Sequence, residues 1–356
     1  MRALAGFLPA IALGLVACGP PPPPQHVESP GPALTADAFA GPDRSPPRCQ
    51  AGAPMKVHFY DAGQALSVLV TLPDGRHILV DAGESARRPG CTECKEWHQR
   101  VMEGLRKDLG TGVLDLLWIT HQHSDHLGGA PDVIEAFHPK TYVDNGLDID
   151  RERGVVKDAR DAAAAANAVI HVVSPEHPES PLPGTASVKL TPIVPKEWPA
   201  ACHSDPNACS IGLRVDYCQS SVLFLGDAPK QEEEVIDARG TVTLLQVGHH
   251  GAETSTGLSF VKKLSPKYAV ISSAKPQEGT NDGYCHPRGV TVRTLTGAMG
   301  GAGTGTVKAF DGKTCSRKEP KPEEWSEVPA SDHLWVTARD GGVTLTTTGD
   351  GVFTKE

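Results

Sequence analysis

From residue 55 onward, apolar and polar positions follow two periods that predict a layered α/β protein. Short β-branched and apolar runs at 56–60, 66–72 and 77–80 read as strands, with Pro73-Asp74-Gly75-Arg76 as a turn between the last two. Trp97, Val101, Leu105 and Leu109 recur every four residues and put one apolar face on a helix over 96–109. The continuous apolar run 114–119 reads as a buried strand. Beyond it, helices are expected at 131–137 and 159–169, and strands at 141–143 and 171–173. Further strands are expected at 187–193, 211–217, 222–225 and 241–247, with helices at 231–238, 257–264 and 288–296. Closing strands are expected at 307–310, 333–336 and 343–347. The stretch 297–305 and the charged run 313–327 read as loop, with an insertion over about 311–331. Two groups of strands with interspersed helices fit an α/β layer protein rather than an all-β sandwich.

The first 54 residues follow another pattern. Arg2 precedes an apolar run from Ala3 to Val16, which has the length of a signal-peptide core and is too short for a membrane span. It ends in Leu15-Val16-Ala17-Cys18, which resembles a bacterial lipobox and makes 1–17 a signal peptide with Cys18 the lipidated first residue after cleavage. An ordinary secretory signal with a chance cysteine is the alternative. Pro20 to Pro24 open a Pro-, Gly-, Ala- and Ser-rich segment, so 18–54 is expected to be a semi-rigid tether and 55–356 the folded domain. The expected location is the bacterial cell envelope, with the membrane reached through the lipid anchor alone.

Composition narrows the partners. A net charge of −9 lacks the diffuse positive field that drives non-specific nucleic-acid binding. With Cys18 set aside, eight cysteines remain, and export makes disulfides the expectation. Cys91-x-x-Cys94 could be a redox pair or a zinc knuckle; with no second CxxC to complete a four-cysteine site, a structural disulfide is expected.

The segment that carries chemistry is Thr120-His121-Gln122-His123-Ser124-Asp125-His126-Leu127-Gly128-Gly129, directly after the strand at 114–119. Three imidazoles and a carboxylate within six residues, where a chain leaves a strand, can turn toward one divalent cation. Two later apolar strands deliver similar groups: Leu225-Gly226-Asp227 ends in a carboxylate suited to bridge two metals, and Val247-Gly248-His249-His250-Gly251 brings imidazoles. Each alone is weak, since Gly-Asp after a strand is usually a turn; the ordered set is specific.

These motifs, with Phe59-Tyr60-Asp61-Ala62-Gly63-Gln64, Ile78-Leu79-Val80-Asp81-Ala82-Gly83, Asn281 and Tyr284-Cys285-His286-Pro287, resemble the metallo-β-lactamase superfamily. Within it they resemble the nuclease-like domain of ComEC-type DNA-uptake competence proteins. The resemblance spans nearly the whole folded domain. It implies an αββα sandwich of the metallo-β-lactamase fold and two divalent metal ions, zinc or manganese, at the strand ends. It places His121 and His123 on one metal, Asp125, His126 and His249 on the other, and Asp227 between them. His249 is preferred over His250 because the family ligand usually sits two residues beyond its strand, after a small residue. Asp81 would orient an imidazole from behind. A further ligand on the first metal is open among His203, Asn207 and Ser210. Asp125 and Asp227 would also serve catalysis, and His286 would face substrate or donate a proton, with a structural histidine before proline as the alternative.

Two departures stand out: Gly63-Gln64-Ala65-Leu66 lacks the acidic residue of the competence-protein pattern, and Cys285 replaces a usual glycine. Lacking a set of apolar membrane runs, the chain reads as a stand-alone relative. The implied mechanism uses a metal-bridging hydroxide, from cations roughly 3.5–4 Å apart. The substrate expected first is a phosphodiester, small or polymeric, with weak nucleic-acid contact. A lactonase or β-lactamase-type hydrolase is the alternative. From another class comes a non-catalytic surface-binding lipoprotein on the same fold, against which an intact ligand set argues.

Overall fold

The computed structural model describes residues 49, 51–148, 153–300, 303–318 and 321–356; the signal segment 1–17 and Cys18 lie outside the described residues. The strands are β1 Met55–Phe59, β2 Ser67–Thr71, β3 His77–Ala82, β4 Leu116–Trp118, β5 Thr141–Asp144, β6 Val169–Val172, β7 Val188–Ile193 and β8 Gly212–Tyr217. They continue as β9 Ser220–Phe224, β10 Leu244–Gln246, β11 Tyr268–Ile271, β12 Gly305–Phe310, β13 Trp325–Ala330, β14 Leu334–Val336, β15 Val343–Thr347 and β16 Thr354–Lys355. The helices are α1 Cys94–Leu109, α2 Ser124–Leu127, α3 Ala130–Phe137, α4 Arg153–Ala165, α5 Lys230–Val235, α6 Leu258–Leu264, α7 Asn281–Tyr284, α8 Gly289–Met299 and α9 Thr337–Asp340.

Among the described residues one sheet runs β16-β15-β1-β2-β3-β4-β5-β6, a second runs β14-β11-β10-β9-β8-β7, and β12 pairs with β13. Successive side chains on a strand face opposite ways, so each central strand feeds two cores. Val68, Val70, Ile78, Val80 and Trp118 of the first sheet meet Leu213, Val215, Val222 and Phe224 of the second. Their neighbours Leu69, Leu79, Leu117 and Tyr142 point outward beneath α1, α3 and α4, against Leu105, Ile134 and Val156. Leu223, Leu245 and Ala269 do the same beneath α6 and α8, against Val261, Leu264 and Val292. Strands buried on both faces explain the unbroken apolar runs, and the layers form the expected αββα sandwich.

Strands β3 to β6 are parallel, as are β9, β10, β11 and β14. Their carboxyl ends are where an open α/β sheet places its ligands. Several expectations shift. Strand β11, four residues long after Pro266, is not among the expected strands, yet it lies between β10 and β14. The charged run read as loop to 327 contains the start of β13; Pro329 is tolerated there because β13 pairs on one side only, with β12. Helix α4 starts at 153 and ends at 165, earlier than expected, which leaves Val169 and Ile170 to β6.

All eight cysteines after Cys18 pair: Cys49–Cys218, Cys91–Cys94, Cys202–Cys209 and Cys285–Cys315. The end of the expected tether is therefore fixed to the second sheet. Gly52 N donates to the Tyr217 hydroxyl at 3.0 Å, which donates to Ala53 O at 2.8 Å.

Candidate metal centre

Asp81, the penultimate residue of β3, has φ +58, a left-handed conformation that aspartate tolerates, and is fully buried. Its carboxylate accepts from Thr120 N at 2.7 Å, Thr120 Oγ1 at 2.8 Å and His126 Nδ1 at 2.7 Å. Because the carboxylate only accepts, His126 carries its proton on Nδ1 and turns an Nε2 lone pair toward the strand ends. His250 is oriented in the same way: Nδ1 donates to the carbonyl of Ser272, just beyond β11, at 2.9 Å. The two Nε2 atoms stand 3.2 Å apart. Around them lie Asp227 Oδ1, 3.2 Å from His126 Nε2, and Asp125 Oδ2, 3.5 Å from His250 Nε2.

Asp227 follows Gly226, whose φ of +54 and close approach admit no side chain: a Cβ there would stand 2.3 Å from Thr120 Oγ1. Asp227 Oδ1 is buried without a hydrogen-bond partner. Lone pairs of imidazole and carboxylate that converge while buried are unfavourable without a positive charge among them. Among the described residues, His121, His126 and Asp227 present ligand atoms within 4.8 Å of one another, as do Asp125, His126 and His250. The donor set of nitrogen and oxygen fits zinc, and also manganese or iron.

Charge follows from this convergence. Burial opposes a charged His126, but Asp227 and Asp81 outweigh it and hold its pKa well above the usual value, so a proton competes with a cation for the Nε2 lone pair. Burial likewise opposes a charged Asp227, but His126, His250 and His249 keep its carboxyl well below the usual range. His249 is lowered by burial, and His286 far more so, by burial and then by the charges of His249 and His250.

The expected site residues fall as follows. His121 Nε2 and His123 Nδ1 are 3.1 Å apart, and His123 Nδ1 is 2.9 Å from Asn207 Oδ1. Asn207 thus lies at the first position, whereas Ser210 Oγ is spent on Asn207 O at 2.9 Å. His203 closes the turn Ala200–His203, and its side chain is outside the described part of the structure. At the end of β10 the geometry favours His250, grouped with Asp125 and His126, over the expected His249. Gly248 opens a turn in which His249 and His250 both take left-handed conformations, φ +51 and +53. Counting along an extended chain therefore fails, and His250 turns inward. His249 faces the pocket mouth, its Nδ1 3.0 Å from Thr254 Oγ1 and its Nε2 3.7 Å from Asp227.

His286 is buried at the pocket wall. Gln64 Oε1 accepts from Ala274 N at 3.2 Å, which leaves Gln64 Nε2 to donate to His286 Nδ1 at 3.1 Å. That bond puts the imidazole proton on Nε2. Asn281 holds the backbone on both sides, with Oδ1 accepting from His286 N and Nδ2 donating to His286 O, each at 2.7 Å. Ala65 and Leu66, at the departure from the competence-protein pattern, are buried in the cores and do not line the pocket.

The pocket over the cluster has a volume of about 260 Å³. Residues that the sequence reading gave no role also line it, notably Arg88 and Tyr284. Arg88 contacts Glu84 and Ser124; burial and then the charge of Asp125 push the Glu84 carboxyl up to about 7 against the pull of Arg88. Only the position of Arg88 shortly after the Asp81 motif could have pointed to it.

An αββα sandwich with a His/Asp cluster at its strand ends defines a class of metal-site proteins, and comparison with known proteins names it. The signature of the metallo-beta-lactamase superfamily matches residues 60–275, and the chain belongs to that superfamily. Competence protein ComA of Neisseria gonorrhoeae is 31% identical over 273 residues, which is 71% of this chain and 33% of that protein. ComE operon protein 3 of Bacillus subtilis is 28% identical over 264 residues, 67% of this chain and 30% of that protein. The chain thus spans about a third of the length of these relatives. Among solved structures, Zn(2+)-bound PqqB from Methylobacterium extorquens aligns over 59% of this chain and 77% of that one, at 12% identity and a TM-score of 0.37.

Proposed function

We propose that the chain is an exported, metal-dependent phosphodiesterase with nuclease-like specificity. The observation that carries the reading is the convergence of the His126 and His250 Nε2 lone pairs, 3.2 Å apart, on the buried Asp227 carboxylate. His121 and Asp227, with His123 and Asn207 beside them, would hold one cation; Asp125, His126 and His250 would hold a second, with Asp227 between. Two divalent cations so held supply Lewis acidity and acidify a bound water toward neutral pH. The chain's own residues do the rest. Asp81 and the Ser272 carbonyl fix the tautomers of His126 and His250. His286, with its proton on Nε2, is placed to donate a hydrogen bond or a proton to a leaving oxygen.

Similarity to two competence proteins supports a phosphodiester as substrate, and eight paired cysteines support an oxidising compartment. The test is hydrolysis of bis-p-nitrophenyl phosphate with manganese or zinc, beside a lactone and a β-lactam panel at equal enzyme concentration. Phosphodiester cleavage is expected, with slower and salt-sensitive cleavage of single-stranded DNA. Fast turnover of a lactone or β-lactam with no phosphodiesterase signal under either metal rejects the reading.

A further inference from the structure

Arg88 is the single lysine or arginine among the described residues lining the pocket, in a chain of net charge −9. A compact loop brings it there. Ser85 N donates to Glu84 Oε1 at 2.8 Å, Arg88 N to Ser85 O at 3.2 Å, and Cys91 N to Arg88 O at 3.4 Å. The Cys91–Cys94 disulfide then ties the loop to the start of α1. One arm of the guanidinium, Nη1, is anchored on Glu84 and on Ser124, the residue before Asp125. The Tyr284 side chain lines the pocket beside the same guanidinium. The Tyr284 ring lies over His286, with centroids 6.0 Å apart and planes 23° from parallel, and is 41% exposed at the pocket rim.

An ion pair needed only to neutralise Glu84 would not require a guanidinium at the pocket wall with a phenol beside it. A guanidinium fork braced on one side matches the paired oxygens of a phosphoryl group, where a lysine would offer a point charge. We propose that Arg88, braced by Glu84 and Ser124 at the pocket wall, is the specificity grip of this site and takes a non-bridging phosphoryl oxygen of the substrate. The inference rests on the phosphodiesterase reading and says which residues select the anion.

Calorimetric titration of inorganic phosphate into metal-loaded full-length protein tests it, with Arg88→Gln and Arg88→Lys beside wild type and metal content measured for each. Loss of a hydrogen bond to a charged group is expected to raise the phosphate Kd about ten- to a hundredfold in Arg88→Gln, with Arg88→Lys intermediate. KM for bis-p-nitrophenyl phosphate should rise in step, with kcat changed less. Equal phosphate Kd in wild type and Arg88→Gln at equal metal content overturns the inference, even if wild type cleaves phosphodiesters. Wild type inert on phosphodiesters sinks the enzymatic reading instead, and the phosphate titration still decides the role of Arg88. If Arg88→Gln loses metal or fails to fold, Arg88→Lys decides: about a threefold or larger rise in Kd supports the grip, and no change overturns it.

Discussion

His249 and His250 are adjacent in sequence and differ by which one the left-handed turn after β10 sends inward. His250→Ala is therefore expected to lose a large share of bound metal, and His249→Ala to keep nearly all of it; elemental analysis of the purified variants reads the difference. Retained metal in His250→Ala with loss in His249→Ala would restore the extended-chain assignment. Asp81 acts one bond further out, through His126 Nδ1. Asp81→Asn keeps the shape, removes the anion, and should weaken metal affinity about 10–100-fold in a competitive chelator titration. Most of this cluster was legible in sequence, because His121, His123, Asp125 and His126 crowd into one stretch and Asp227 and the His249-His250 pair follow apolar strands. Arg88, Gln64 and Tyr284 were not, because their roles arise from tertiary approach: Gln64 and His286 meet across 222 residues.

Elements were legible where their apolar pattern was long. Helix α1 shows its face through Trp97, Val101 and Leu105, whereas the four residues of β11 are too few to display a period. Trp97 links α1 to the pocket loops: a Cβ on Gly63 would stand 2.0 Å from its ring and one on Gly279 2.3 Å. Trp97→Ala should cost about 3–5 kcal/mol in denaturant unfolding, since the backbones packed on both faces cannot fill the space. Glu233 on α5 accepts from Thr256 N and Gly257 N at the start of α6, and burial pushes its pKa up to about 7 against those bonds. The folded state then holds a proton that the unfolded chain releases near its ordinary value of 4.5. This contribution to stability is full below that value and is lost as pH rises through 7. Glu233→Gln should flatten the fall in stability between pH 5 and 8, measured by urea unfolding at each pH; an unchanged slope would remove Glu233 as its source.

At the scale of the whole molecule, the order of strands and helices announced a layered α/β protein and the family resemblance its two-sheet sandwich, but the disulfide map could not be read, since eight cysteines allow about 105 pairings. Two of the four pairs join distant segments, Cys49 with Cys218 over 169 residues and Cys285 with Cys315 over 30, while Cys91–Cys94 and Cys202–Cys209 close local loops. The Cys285–Cys315 pair clips the loop after β12 to the turn carrying Tyr284 and His286, so replacing both by serine should cost about 2–4 kcal/mol. An oxidising compartment favours such pairing, in keeping with the export expected from the N-terminal segment. If 1–17 directs export and Cys18 receives the lipid, the full-length chain made in a bacterial host should partition into detergent and Cys18→Ser should remain aqueous. Both would carry the same four disulfides, because the pairs form in the folded domain. Mass spectrometry that finds an unmodified N-terminus other than Cys18 on the wild-type protein would overturn the anchor while leaving the export reading to the disulfides.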